Sequence, residues 1–102
     1  MAHNEFVYEK EGPEPIMRAF LYVFQGVLTK RGFHETIEHI DPEGPDNYIY
    51  ENDDQMISVT LAHRGPGVLT ITASSASPVK DIIEEAVEVL LEGIRVLLKP
   101  IV

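Results

Sequence analysis

Two segments in the middle of the chain alternate apolar and polar residues with a period of two, the mark of half-buried β-strands. In the first, Ile57, Val59 and Leu61 alternate with Ser58, Thr60 and Ala62. In the second, Leu69, Ile71 and Ala73 alternate with Val68, Thr70 and Thr72. If both apolar sets face one core, the strands must pair as Ile57–Ala73, Val59–Ile71 and Leu61–Leu69, since a slip of one residue turns a strand over. That register predicts a hairpin with its loop centred on Gly65, running either from Arg64 to Pro66 or from His63 to Gly67. The other face carries Ser58, Thr60, Thr70, Thr72 and Ser74, a row of short polar side chains expected to meet water.

Helical spacing appears on both sides of this hairpin. Ile16, Phe20, Val23, Phe24, Val27 and Leu28 predict a helix over residues 16–31, with Pro15 suited to its first turn. Lys30 and Arg31 favour its C-terminus through the dipole, and Gly32 supplies a left-handed cap. The second helix spans 79–99, with Ser77 as N-cap and Pro78 at its first position. At 100° per residue its apolar positions cover an arc of roughly 220°, where a helix facing one core needs little more than 100°. Asp81, Glu84, Glu85, Glu88, Glu92, Arg95 and Lys99 fill the remaining strip. Helix 16–31 and the hairpin are expected to cover its centre at Ile83, Ala86, Leu90 and Leu97. The flanks then remain as a candidate interface: Val89 and Val96 on one edge, Leu91 and Leu98 on the other. Gly26 and Gly93 lie inside the helices, where Ala would be favoured by about 1 kcal/mol, and point either to close packing, helix against helix, or equally to simple tolerance of Gly.

The remaining segments are weaker signals. Residues 1–14 read as an arm, in which Glu5–Glu9 could form a short strand before Gly12, Pro13 and Pro15 end it. Phe33–Ile40 reads as an edge strand, Asp41–Asn47 as a loop, Tyr48–Glu51 as a short strand and Asn52–Asp54 as a turn. Residues 15–102 then form a single α+β domain. The expected architecture is a two-layer sandwich: helix, a three- or four-stranded antiparallel meander, helix, with both helices on one sheet face.

Composition narrows the functional classes. With 102 residues, 44% hydrophobic and 25% charged, the chain has the balance of one folded domain rather than a disordered segment. Its formal charge of −9 argues against nucleic-acid binding, which requires clustered Lys and Arg. Between Arg31 and Arg64 there is no Lys or Arg, while carboxylates run from Glu35 to Asp54. That stretch reads as a solvated acidic face, open to a basic protein partner or a divalent cation. Residues 79–98 have the length of a membrane span, but one Asp and four Glu make insertion very costly. Residues 1–10 lack the apolar run of a signal peptide, so the expected location is cytoplasmic.

Candidate chemistry is sparse, and no cofactor is indicated. His34 and Glu38 flank a stretch that matches neither orientation of the helical zinc-protease pattern, although the pair would share a face on a strand or a helix. Asp53 and Asp54, with Asp41, Glu43 and Asp46, offer hard oxygen ligands without the alternating spacing of a calcium loop. His63 and Arg64 in the hairpin turn could hold an anion, but the Lys-Ser/Thr and following helix of a phosphate loop are missing. The chain contains no Cys, and no Ser sits in a Gly-x-Ser-x-Gly elbow.

The expectation is therefore a small acidic, non-catalytic interaction domain that self-associates, adaptor- or chaperone-like, with a dimer favoured. The alternative is a small-ligand or divalent-cation-binding domain using residues 34–54. In size, acidity and its amphipathic last helix the chain is similar in general character to type III secretion chaperones, with no shared motif. Its helix–sheet–helix order resembles frataxin-like iron-binding domains, but helix 16–31 ends in Lys30 and Arg31 where those domains carry an acidic ridge.

Overall fold

The computed structural model describes residues 5–63 and 66–98, the last three as helical backbone. The chain runs β1 (Phe6–Gly12), α1 (Glu14–Lys30), β2 (His34–His39), β3 (Asp46–Glu51), β4 (Met56–Ala62), β5 (Gly67–Ala73) and α2 (Val79–Leu98). Five strands form one antiparallel sheet in the order β1-β5-β4-β3-β2. The β4–β5 register is Ile57↔Ala73, Val59↔Ile71 and Leu61↔Leu69, as the alternation requires, and the loop between paired ends spans His63–Gly67.

The strand count differs from the expectation of three or four. The segment read as an arm forms β1, paired along the whole of β5 from Phe6↔Ala73 to Gly12↔Gly67. Only Phe6 and Tyr8 of this strand pack against the core, and Tyr8 lies 6.4 Å from Phe20 between ring centroids. An edge strand with so little apolar content is held by its backbone ladder, which leaves a weak sequence pattern.

One sheet face is buried. Ile57, Val59, Leu61, Leu69 and Ile71 are fully buried there, together with Leu21, Phe24 and Leu28 of α1 and Val79, Ile82 and Ala86 of α2. α1 lies across β5, β4 and β1, and α2 packs chiefly on α1. Gly67 lets the first turn of α1 settle on the sheet: a Cβ there would stand 3.0 Å from Glu14 Cα. The far end of α1 closes with Gly32 at φ +90°, where the Phe33 N–H donates to Leu28 O and the Gly32 N–H to Thr29 O. Burial of Phe33 and Leu28 completes this Schellman-type cap. α2 begins at Val79, where the helical spacing places its start.

Candidate functional site

α2 is the element that the fold does not finish. Its first two turns bury Val79, Ile82, Ile83 and Ala86. Glu85 lies level with the end of α1, where it accepts from Arg31 Nη2 at 2.7 Å and from Lys30 Nζ at 3.4 Å. The Arg31 hydrogen bond, more than any other influence, holds the Glu85 carboxyl below its usual range. Val87 and Leu90 are partly buried against the core, and every other residue from Glu88 to Arg95 is exposed. Val89 is 49% exposed, Leu91 47% and Ile94 38%.

The expected centre is buried at Ile83 and Ala86 and partly buried at Leu90. A centre covered along its whole length, with bare flanks, would have buried Leu90 as deeply as Ala86. Instead, cover thins along the described part of α2, from Ala86 at 0% to Ile94 at 38% exposure; the Leu97 side chain, expected at the covered centre, lies outside the described residues. Val89 and Leu91 are exposed there; the Val96 and Leu98 side chains lie outside the described residues. The radius of gyration is 14.5 Å, against about 13 Å for a compact chain of this length. Close helix–helix packing does not explain the helical glycines, because a Cβ at Gly26 or Gly93 would meet nothing within 4 Å.

The other candidates are dispersed. A register shift between Glu35 and Ile37 bulges β2, so that His34 pairs with Glu51 while Glu38 pairs with Tyr48. Opposed residues project to the same face of a sheet, so His34 and Glu38 point to opposite sides. Asp53 and Asp54 are exposed in the β3–β4 turn, where Asn52 Oδ1 accepts from the N–H groups of Asp54 and Gln55. Among the described residues, no group of three or more His, Asp or Glu side chains is placed to hold a metal ion. His63 turns inward: its Nε2 lies 3.1 Å from Asp41 O and 3.5 Å from Asp46 Oδ1, an acidic setting for a proposed anion ligand. Arg64 lies outside the described residues.

Sequence reasoning missed a polar cluster beside α1. Arg18 Nε donates to Glu14 Oε1 at 2.6 Å, and Arg18 Nη1 reaches Asp46 Oδ2 at 3.4 Å. The Glu14 hydrogen bond, reinforced by Tyr22, pushes the Arg18 guanidinium above its ordinary value. Asp46 is only 2% exposed, and its Oδ1 has no hydrogen-bond partner among the described residues. Next along β3, burial pushes the Tyr48 hydroxyl up and raises Tyr50 to about 12, with Glu38 and Glu35 adding to the respective shifts. The sequence pattern places Asp46 in a loop, and its partners lie 28 and 17 positions away in sequence, beyond any local pattern.

Among the described residues, no helix is long and apolar enough to cross a membrane. Compared with protein-family models and with curated proteins, the chain matches none.

Proposed function

We propose that this protein is a small acidic interaction domain that self-associates through the distal half of α2, in the manner of an adaptor or chaperone subunit. The carrying observation is the exposure of Val89, Leu91 and Ile94 on a helix whose earlier turns are buried in the core. A free helical segment of about ten residues is marginal in water, since helices gain most of their stability from packing an apolar face. A second copy offers the same unfinished surface, and a symmetric dimer closes both at once. The 88–98 stretch has two carboxylates and one guanidinium on a chain of formal charge −9, so a copy meets less repulsion there than elsewhere.

Sedimentation equilibrium tests this reading. The protein is expected to be dimeric at micromolar concentration. Leu91→Glu and Ile94→Glu should each yield monomers with unchanged circular dichroism, because both side chains are exposed in the single chain. A wild-type protein that stays monomeric at high micromolar concentration would overturn it.

A further inference from the structure

We infer that the outer face of the sheet receives a basic amphipathic helix of a partner protein, laid along β4 and β5. Both helices of this chain pack on the opposite face, so this surface stands or falls independently of self-association through α2.

The strand registers set the shape of the face. Val7, Thr72, Ser58, Ile49 and Ile37 stand side by side in one row across all five strands. Val7 and Ile37 at its ends are each at least half exposed, while short hydroxyl side chains fill its middle. The next row repeats the arrangement, with Glu9 outermost and Thr70 and Thr60 in the middle. β4 and β5 thus form the floor of a trough, and β1 and β3 carry its walls. At one end the trough opens into a hollow of about 270 Å³, lined by Ser58, Thr72, Met56 and Glu5 among others. Strands lie about 4.8 Å apart, which sets β1 and β3 about 14 Å from one another, enough for one α-helix of about 10–12 Å diameter.

Charge states the chemistry of the occupant. Glu5, Glu9 and Glu11 line the β1 side and Glu51 the β3 side, all exposed. The far margin on β2 adds His34 and His39. Among the described residues no Lys or Arg lies on this face: Lys10 alternates onto the helix-covered side, and the others belong to the helices or, at Arg31, to the cap of α1. A second copy would set the same carboxylates against these, and the phosphates of a nucleic acid or lipid surface would meet the same repulsion. A helix with Lys or Arg on both flanks of an apolar stripe answers every part of the surface. Its stripe meets Val7, Ile49 and Met56, and its flanks reach Glu9, Glu11 and Glu51. Part of the floor's polarity is met internally, since Thr60 Oγ1 donates to Asn47 Oδ1 at 3.0 Å, which lowers the cost of covering it.

The probe is a fluorescein-labelled peptide of about 15 Leu and Lys residues in helical amphipathic order, about the length of one strand of this sheet. A scrambled peptide of the same composition is the control. Fluorescence anisotropy at about 0.15 M ionic strength is expected to give a micromolar Kd for the first and at least tenfold weaker binding for the second. Glu9→Lys and Glu51→Lys should each raise Kd roughly three- to tenfold, and Thr70→Arg, which fills the floor, at least tenfold. Glu84→Lys makes the same change of charge on α2 and should leave Kd within about twofold. Circular dichroism checks that each variant is folded, and amide chemical-shift changes on peptide addition should cluster on β4 and β5. No binding at high micromolar peptide, equal binding of the scrambled peptide, an equal loss in Glu84→Lys, or shifts confined to residues 88–95 would each overturn the inference. None of these results bears on the dimer, and a monomeric wild type leaves this surface standing.

Discussion

Gly67 and Gly26 predict opposite outcomes for the same substitution. At Gly67 an added methyl would stand 3.0 Å from Glu14 Cα and 3.1 Å from Met17 Cβ, so backbone as well as side chain must shift. Overpacking of this kind costs about 1–3 kcal/mol, partly offset by the lower chain entropy of Ala in the unfolded state. Gly67→Ala should lower Tm by roughly 5–10 °C in a thermal melt. At Gly26 the same methyl meets nothing within 4 Å on an exposed helical face, and Gly26→Ala should stabilise by about 1 kcal/mol. The sequence shows both glycines but not this difference, which depends on which element crosses above each one. Gly32 is the contrasting case: its φ of +90° follows from its place after Lys30 and Arg31, and the cap was legible before the structure.

At the scale of elements, legibility follows how much of an element's burial is local. β4 and β5 bury alternate residues on one face, so their existence and register could both be read from the sequence. β1 buries little and is fixed by its ladder to β5, some sixty residues away, which no local pattern records. The β2 bulge is equally silent, yet it decides that His34 and Glu38 cannot act together. α2 lies between these cases. Its excess of apolar positions was plain, but where cover ends depends on where α1 ends, at Lys30 and Arg31 against Glu85. This boundary predicts uneven hydrogen exchange. In dilute protein, amides from about Leu91 onward should exchange orders of magnitude faster than those of Ile83 and Ala86, since the distal half lacks tertiary support. Raising the protein concentration through the dimer Kd should protect them selectively. Uniform protection along α2 at every concentration would mean that something within the single chain covers it.

For the whole molecule, charge and the apolar face of α2 oppose one another. Each copy carries a formal charge of −9, and the proposed self-association would bring two such bodies together while burying a nearly neutral helix segment. With centres on the order of 30 Å apart in water, the repulsion is a few kcal/mol at a Debye length of about 30 Å and falls to a few tenths at about 8 Å. Net repulsion therefore dominates the salt response. Sedimentation in a salt series should show the dimer Kd falling at least tenfold between about 0.01 M and 0.15 M ionic strength. The effect should then level off, because the proposed apolar contact at Val89, Leu91 and Ile94 would not depend on screening. A dimer that weakens steadily with added salt would instead be held by ion pairs rather than by the apolar face of α2.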